Sequence, residues 1–303
     1  MTHNYLHFKL AAASPAVDLH CHSTHSDGTL APAELIRLAA ELGLAAVALT
    51  DHDTVAGLPD FLAAPAPAPL KRLGGVELSC EDEGRRIHVV GLGIRSEDGE
   101  LEAMLGQVRE WRRRRNREMA ARLVELGLLE DSPDLARLIE QVEVLGRPHL
   151  AATLVAGGKC RTMREAFSRF LGRGRPAYVP RQVSPLDEAL RVVRGAGGVT
   201  IWAHPLTMGS LTVAKFQRLA GDYAGRGLDG VEAYYSEFNL HQTRTVERVA
   251  AEAGLLLSGG SDFHGEHIPD IALGTGRGTL RVPATVLPPL LERIAARGGT
   301  VPS

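Results

Sequence analysis

The apolar residues of this chain follow two patterns: short continuous runs and longer stretches with helical spacing. Runs such as 44–49 are typical of buried strands in a parallel sheet. The stretch 32–42 carries apolar residues at helical spacing and is followed by Gly43, a residue that commonly ends helices. Strand and helix patterns alternate along much of the chain, which predicts an α/β fold with a largely parallel sheet.

The stretch 98–177 interrupts this alternation, because a strand pattern returns only at 177–179. Helices are predicted over 100–126, 134–145, 149–156 and 162–171. We therefore expect a barrel-like α/β domain formed by 17–97 and 178–303, and a mainly helical insertion, 98–177, that covers the active site. Residues 1–16 are set aside as an N-terminal extension or as residues added for expression.

Residue types that bind metal ions recur near the ends of the predicted strands. His20 and His22 are two apart on a strand and therefore point to the same face, and Asp27 follows them in a loop. Further candidates follow later runs, namely His52, Glu77, His88, His204, Glu232, Asp262 and His264. The carboxyl ends of parallel strands meet at one edge, so these side chains should converge there. Imidazole and carboxylate suit Mn, Fe or Zn, and Glu77 could bridge two ions.

Several of these residues have a plainer interpretation. His88, inside a β-branched run, could be a hydrogen-bonded core residue. Asp53 could cap a helix that begins near Thr54. Glu232 could have a structural role outside the ligand set. His25 is expected to be a solvated loop residue, and Cys21 a small packing residue that faces away from the ligands.

Composition narrows the class of protein. A length of 303 residues suits one barrel with a modest insertion. The net charge of −2 gives no global attraction to long duplex nucleic acid. The three scattered cysteines do not form a disulfide framework and suit the cytoplasm. No apolar stretch approaches the ~20 residues of a membrane span, and no obligate protein partner is evident.

Positive charge is concentrated in the helical insertion. The run 112–117 contains five arginines, and either Arg113, Asn116 and Arg117 or the set one step round the helix should share one face. A solvated basic face is the alternative interpretation of this run. Two predicted loops, 146–149 and 172–178, are rich in glycine and arginine. They suit phosphate, because arginine binds it through two hydrogen bonds and glycine allows close approach of the backbone. The expected substrate-binding residues are Arg113, Asn116, Arg117, Arg147, His149, Arg175 and Tyr178. His149 could instead bind a metal, and Tyr178 or Tyr234 could stack on a base or simply pack.

Taken together, the motifs resemble the polymerase and histidinol phosphatase (PHP) family of the amidohydrolase superfamily. The matching segments are Asp18-Leu-His-Cys-His-Ser, Ser26-Asp-Gly, Thr50-Asp-His-Asp, Gly75-Val-Glu, Ile87-His-Val-Val-Gly, Ala203-His-Pro and Gly260-Ser-Asp-Phe-His. The resemblance implies a distorted (β/α)7 barrel that holds two or three divalent ions. Mn²⁺ is the expected ion, with Fe²⁺ or Zn²⁺ as alternatives.

The resemblance also implies three ligand groups. The first metal would be held by His20, His22, Glu77 and Asp262. The second would share Glu77 and add His88 and His204. The third would be held by Asp27, His52 and His264, although many family members have histidine at the position of Asp27. His204, His264 and Asp262 are the expected catalytic residues, and the proton donor to the leaving oxygen could be His264, His204 or a metal-bound water.

The insertion resembles a subgroup that dephosphorylates 3′,5′-nucleotide bisphosphates, some of whose relatives trim short RNA from the 5′ end. We expect a phosphatase that removes the 3′-phosphate through a hydroxide held between metals. The alternatives are a 5′→3′ exoribonuclease on short RNA, a histidinol-phosphate phosphatase and a non-catalytic PHP module. The basic insertion argues against an amine substrate, and the complete set of ligands argues against a non-catalytic module.

Overall fold

Nine strands form one sheet in the part of the chain that the computed structural model describes, residues 16–65, 70–141, 146–207 and 211–302. The strands are β1 (Ala16–Cys21), β2 (Ala46–Leu49), β3 (Lys71–Asp82), β4 (Arg85–Leu92), β5 (Ser184–Pro185), β6 (Val199–Trp202), β7 (Gly230–Tyr235), β8 (Leu256–Gly260) and β9 (Val282–Pro283). Nearly all of the expected N-terminal extension lies outside the described residues.

The sheet closes almost completely into a barrel. Its strand order is β8-β7-β6-β4-β3-β2-β1-β9, with β5 beside β3. The end of β1 is joined to the segment after β8, since the His22 N–H donates to the Phe263 carbonyl at 3.0 Å and the Asp262 N–H to the His20 carbonyl at 2.9 Å. These bonds bring the first and last long strands together, which confirms the predicted distorted α/β barrel.

Two strands of the sheet run against their neighbours, the short edge strand β9, which pairs antiparallel with β1, and β4. β4 pairs antiparallel with both β3 and β6, whereas β1–β2, β2–β3, β6–β7 and β7–β8 are parallel. The prediction that Glu77 ends a short strand is wrong, because β3 continues to Asp82 and turns through Glu83 and Gly84 into β4. Within this hairpin Glu77 pairs with Val90, and His88, which pairs with Ser79, reaches the Glu77 carboxylate from the diagonal position.

Helices connect the strands and form a separate group in the middle of the chain. They are α1 (Pro32–Glu41), α2 (Leu58–Ala63), α3 (Gly99–Glu125), α4 (Pro133–Gln141), α5 (Arg147–Ala156), α6 (Met163–Ala166), α7 (Leu186–Gly195), α8 (Val213–Arg226), α9 (Leu240–Ala253) and α10 (Leu287–Ala296). A five-residue π-helix, Phe167–Leu171, continues α6. No helix in the described ranges is long and apolar enough to cross a membrane.

The described residues divide into two compact units, with boundaries between Glu102 and Ala103 and between Val183 and Ser184. The apolar core of the barrel unit contains alternate residues of its strands, such as Val17 and Leu19, together with Leu290 of α10. The helical unit has its own apolar core, which includes Met119, Leu123, Leu150, Leu154 and Leu171.

The strand predicted at 177–179 is absent from the helical unit. Side chains of α3 take the place of a partner strand there. The Arg115 Nε donates to the Val179 carbonyl at 2.9 Å, and an Arg122 Nη donates to the Tyr178 carbonyl at 2.6 Å. The apolar residues at 177 and 179 pack into the helical core instead of forming a strand.

Candidate metal centre

Glu77, completely buried on β3, is the centre of a cluster of imidazoles. Its carboxylate oxygens lie 2.8–3.4 Å from ring nitrogens on five histidines, which are His20, His22, His52, His88 and His204. Asp27, Asp262 and His264 complete the cluster around these rings. The structure therefore brings together all nine side chains that the sequence analysis selected as metal ligands.

The most enclosed part of the cluster is a cage of four donor atoms, and the ion expected there is not part of the structure. The Nε2 atoms of His20 and His22 are 3.1 Å apart, and they lie 3.3 and 3.4 Å from Glu77 Oε2 and 3.4 and 3.0 Å from Asp262 Oδ1. Donors roughly 2.0–2.1 Å from a tetrahedral ion lie about 3.3 Å apart. Both carboxylate oxygens are buried without an aligned hydrogen-bond donor among the described residues. The four donors fit a divalent ion.

The other oxygen of Glu77 faces a different pair of rings. Glu77 Oε1 is 2.8 Å from His88 Nδ1 and 3.0 Å from His204 Nε2. One carboxylate thus presents each of its oxygens to a separate set of nitrogens, which is the arrangement that a bridging ligand requires.

A third group lies at the more open side of the cluster. His264 Nε2 is 3.2 Å from Asp27 Oδ1, and His52 Nε2 is 3.8 Å from Asp27 Oδ2. The Asp27 side chain is 50% exposed, in contrast to the buried cage. His52 lies between the groups, since its Nδ1 is 2.8 Å from Glu77 Oε2.

Hydrogen bonds to the far side of His264 and of His204 orient these two rings toward the cluster. The His264 Nδ1 donates to the Asp262 carbonyl at 2.8 Å. The Thr207 hydroxyl donates to the His204 carbonyl at 2.9 Å and can accept from His204 Nδ1 at 3.2 Å. With Nδ1 engaged, Nε2 of each ring remains a lone-pair donor for a cation.

Two buried carboxylates outside the predicted ligand set hold the loops in place. Asp51 accepts bonds from the Ser23 N–H, the Ser23 hydroxyl and the Ser26 hydroxyl at 2.6–2.7 Å. Asp18 accepts from the N–H groups of Ser261 and Gly274. Both acids belong to the quoted motifs, but the sequence analysis gave them no role, because their partners lie far away in sequence or depend on loop shape.

The plainer interpretations can now be compared with the structure. Asp53 is not a helix cap, because α2 begins at Leu58 and the Asp53 carboxylate accepts from the Ser79 N–H at 3.0 Å. His88 contacts Glu77 and is only partly buried. Cys21 is buried, with its thiol donating to the Ala48 carbonyl at 3.1 Å, so it is a packing residue.

Backbone strain is concentrated at this end of the barrel. Asp53, His204 and Asp262 have positive φ angles of 54°, 31° and 57°, a region that residues other than glycine rarely adopt. Such strain persists only where surrounding contacts enforce it, and it is common at functional sites. Two of these three residues contribute donor atoms to the cluster.

The carboxylates of the cluster are held in their charged form. Burial raises the pKa of Glu77, but the charges of His52, His88 and His20 bring it well below its ordinary value. Burial also raises the pKa of Asp262, but the nearby rings of His20 and His22 bring it well below its ordinary value. Negative charge is therefore available to a cation at neutral pH.

Neighbouring carboxylates raise the pKa values of four of these imidazoles and so favour their protonated forms. Burial lowers the pKa of His52, but the charge of Glu77 raises it overall to about 9. Neighbouring carboxylates likewise outweigh burial and raise the pKa values of His20, His204 and His264. His22 is different, because burial and the charge of His52 lower its pKa. A cation that binds here must displace protons from the imidazoles.

In the helical unit, the residues predicted to bind substrate do not share one open face. Asn116 is only 1% exposed. Arg113 and Arg117 lie 3.9 and 3.6 Å from the carboxylate of Glu110, as on a solvated helix surface. Arg175 and His149 are exposed, and His149 Nδ1 accepts from the Gly146 N–H at 3.1 Å.

Arg147 is better prepared to hold a ligand. Its guanidinium lies 5.6 Å from the ring centres of both Phe167 and Tyr178, and it donates to the Leu171 carbonyl at the end of the π-helix at 3.3 Å. Two rings and a carbonyl thus fix the direction of a half-buried positive charge.

Arg147 belongs to a group that the sequence analysis largely missed, the arginine cluster of Arg112, Arg115, Arg147 and Arg181. Burial and the positive charges of Arg147 and Arg181 lower the pKa of Arg115 to about 10. Arg181 lies beyond the predicted end of the insertion, and Arg115 was not among the residues expected to bind substrate. The spacing of the sequence gave no signal for this grouping.

Comparisons with known proteins find relatives that span most of the chain. A family model described as PHP domain matches residues 18–144. A 3′,5′-nucleoside bisphosphate phosphatase of Chromobacterium violaceum is 37% identical over 250 residues, covering 82% of this chain and 87% of that protein. A 5′-3′ exoribonuclease of Haemophilus influenzae is 36% identical over 247 residues, covering 82% and 89%. A Bifidobacterium adolescentis structure assigned as a metal-dependent phosphoesterase matches with TM-score 0.75 and 30% identity, covering 93% and 97%.

Proposed function

The chain belongs to the PHP family, and on this premise we propose that it removes the 3′-phosphate of nucleoside 3′,5′-bisphosphates and releases the 5′-monophosphate. As a member it is a metal-dependent phosphoesterase that acts as a phosphoric monoester hydrolase. The narrower substrate is supported by its similarity to the bisphosphatase over most of both chains, and by the arginine cluster.

The observation that carries the proposal is the double contact of Glu77. His20, His22, Asp262 and Glu77 Oε2 would hold one ion. Glu77 Oε1 with His88 and His204 would hold a second, and the group of Asp27, His52 and His264 a third. Mn²⁺ is the proposed ion. When bound, such ions activate water and neutralise charge on phosphoryl oxygens.

Protein side chains would then orient the ligands, and water would supply the proton. Asp262 directs Oδ1 into the cage while its Oδ2 accepts from the Tyr235 hydroxyl at 3.0 Å, so its orientation is fixed. His264 borders the half-exposed Asp27, on the side that faces solvent. Nδ1 of His264 and of His204 is already hydrogen-bonded, and Nε2 of each ring would be occupied by an ion, so we propose that water on this solvent-facing side protonates the leaving 3′-oxygen.

The second phosphate would be recognised by the arginine cluster. Guanidinium groups bind phosphate through paired, charge-assisted hydrogen bonds. Arg147 is held between two rings before any ligand arrives, so little side-chain entropy is lost on binding. Arg147 is therefore the proposed main contact, with His149 at the start of the same helix as a further contact.

A 5′→3′ exoribonuclease acting on short RNA is the second candidate. It is supported by the 36% identity to the Haemophilus influenzae exoribonuclease. This activity would use the same metal centre and differ in whether the substrate extends beyond the second phosphate.

The deciding experiment compares substrates with the Mn²⁺-loaded protein. Adenosine 3′,5′-bisphosphate, AMP, histidinol phosphate and a short 5′-phosphorylated RNA are offered at equal concentration, and the products are identified. A higher kcat/KM for the bisphosphate, with AMP as product, supports the proposal. Faster stepwise release of mononucleotides from the RNA supports the second candidate, and activity confined to histidinol phosphate contradicts both.

A further inference from the structure

Glu232 touches two parts of the metal centre without belonging to the predicted ligand groups. It lies on β7 and is 1% exposed. Its Oε1 is 2.8 Å from the Nδ1 of His20 on β1, and its Oε2 accepts from the backbone N–H of His204, after β6, at 2.7 Å. Both carboxylate oxygens of Glu232 are thus bonded to residues whose rings contact Glu77, namely His20 and His204.

The first contact determines which nitrogen of His20 faces the ion. A carboxylate can only accept, so His20 Nδ1 must carry the hydrogen. The neutral ring then has its lone pair on Nε2, the atom that lies 3.3 Å from Glu77 Oε2 and 3.4 Å from Asp262 Oδ1. An acceptor placed at Nε2 instead would put the hydrogen on Nε2 and leave no lone pair directed at the ion.

The second contact holds a strained backbone. His204 has a φ of 31°, and its buried N–H would lack a strand partner because β6 ends at Trp202. The hydrogen bond to Glu232 satisfies this N–H and fixes the peptide from which the His204 ring reaches Glu77 Oε1 at 3.0 Å. Strained conformations persist where such contacts enforce them.

We propose that Glu232 is a positioning residue that couples two metal sites, by fixing the tautomer of His20 and the backbone of His204 with one carboxylate. It acts on metal affinity and does not touch the substrate. The inference rests on the metal dependence in the proposed function, but not on the identity of the substrate.

The test is Glu232→Gln, which keeps the size and removes the double acceptor. If the amide oxygen faces His204, the NH₂ group meets His20 Nδ1 and forces the hydrogen onto Nε2. If the amide is reversed, two donors meet at the His204 N–H. Neither orientation satisfies both partners, so Mn²⁺ affinity should fall about ten- to hundredfold, as is typical when a partner of a metal ligand is lost.

The matched control is Glu247→Gln. Glu247 lies on α9, and its carboxylate accepts a hydrogen bond from the Tyr234 hydroxyl at 2.7 Å, away from the histidine cluster. Mn²⁺ binding is measured by competition with a chelator, and the Co²⁺-substituted proteins are compared by absorption. A tenfold or greater loss in Glu232→Gln alone, with a changed Co²⁺ spectrum and an unchanged KM at saturating Mn²⁺, supports the proposal. Wild-type affinity and spectrum would overturn it.

Folding is checked by thermal unfolding of the metal-free proteins. If Glu232→Gln does not fold, Glu232→Asp is used, because it remains an acceptor but is too short to reach both partners. A loss of Mn²⁺ affinity in Glu232→Asp supports the coupling, and an unchanged affinity contradicts it. Because binding is measured without substrate, the result stands even if the bisphosphate is not the substrate.

Discussion

The metal centre and the arginine cluster differ in how their charges are arranged, because the first mixes opposite charges and the second groups like charges. In the barrel unit, carboxylates and imidazoles alternate, and each lowers or raises the pKa of the other toward its charged form. In the helical unit, the pKa of Arg115 falls to about 10 because its guanidinium is partly buried and because the neighbouring guanidiniums carry the same charge. The barrel cluster presents acceptors to a cation, and the arginine cluster presents donors to an anion.

The difference shows that a group of like or buried charges indicates the charge of the ligand that would stabilise it. Burying Glu77 completely is costly unless a positive partner is present, and protons on the histidines supply that partner until a metal replaces them. Crowding arginines is costly for the same reason, and a phosphate would relieve it. Each unit is therefore expected to be stabilised by its own ligand.

The largest effect is expected from Glu77→Gln. Loss of the negative bridging carboxylate should abolish binding of at least one ion, and several kcal/mol of catalysis corresponds to a rate loss of roughly 10³-fold or more. The control is Glu81→Gln on the same strand, whose carboxylate pairs with Arg86 at the surface at 3.2 Å. Metal content and phosphate release are measured for both. Full activity in Glu77→Gln would remove the basis of the proposed centre.

Arg147→Ala tests the other half of the comparison. A charge-assisted hydrogen bond to phosphate contributes about 1.5–3 kcal/mol, so KM for the bisphosphate should rise roughly 10- to 100-fold. KM for a monophosphate should change far less. The control is Arg169→Ala, because Arg169 also lies over a ring, Phe170, but pairs with Glu165 at the surface. Equal effects on both substrates would contradict the assigned role.

The protonation of the barrel cluster predicts a pH dependence. The pKa of His52 is 6.5 in the unfolded chain and about 9 in the folded, metal-free protein, so the folded state binds more protons between these values. Its contribution is complete below pH 6.5 and is lost as the pH rises through 9. The Tm of chelator-treated protein should therefore fall by a few degrees or more over this range.

Mn²⁺-loaded protein is the control for this measurement, because the ions replace the protons and should largely remove the decline. A metal-free Tm that stays level or rises from pH 6.5 to 9 would show that the imidazoles are not held in their charged form.

The smallest effect is expected from Tyr235→Phe. Loss of the hydroxyl that holds Asp262 Oδ2 removes one hydrogen bond of about 1 kcal/mol, so Mn²⁺ affinity should fall roughly fivefold. Tyr234→Phe is the control, since the adjacent hydroxyl bonds to Glu247 instead. Equal Mn²⁺ affinity in the two variants would mean that Tyr235 does not orient the carboxylate.

The sequence was informative about the barrel cluster for a physical reason. Metal-binding side chains are few in kind, and His20 and His22 show their common direction by their spacing on a strand. The direction of β4 could not be predicted, because an apolar run reads the same in a parallel and an antiparallel strand. For that reason His88 was selected by residue type alone, while its position in a hairpin with Glu77 was not foreseen.

Residues that act through tertiary contacts escaped prediction. Glu232 looked like any acid near a strand end, because its partner His20 is 212 positions away. Arg115 was indistinguishable from its neighbours in a run of arginines, since its hydrogen bond to the Val179 carbonyl depends on tertiary packing. Helical periodicity predicted α3 well, but not which of its faces would be covered.

The turn between β3 and β4 limits which insertions and deletions this protein can tolerate. Glu83 and Gly84 form a two-residue turn with φ angles of 46° and 75°, and the pairing of Ser79 with His88 is counted from this turn. One inserted or deleted residue there would shift β4 by a single position and turn His88 to the opposite face. Hairpin turns usually tolerate changes in length. In this protein the length of the turn determines whether His88 faces Glu77, so a change there would remove His88 from the cluster.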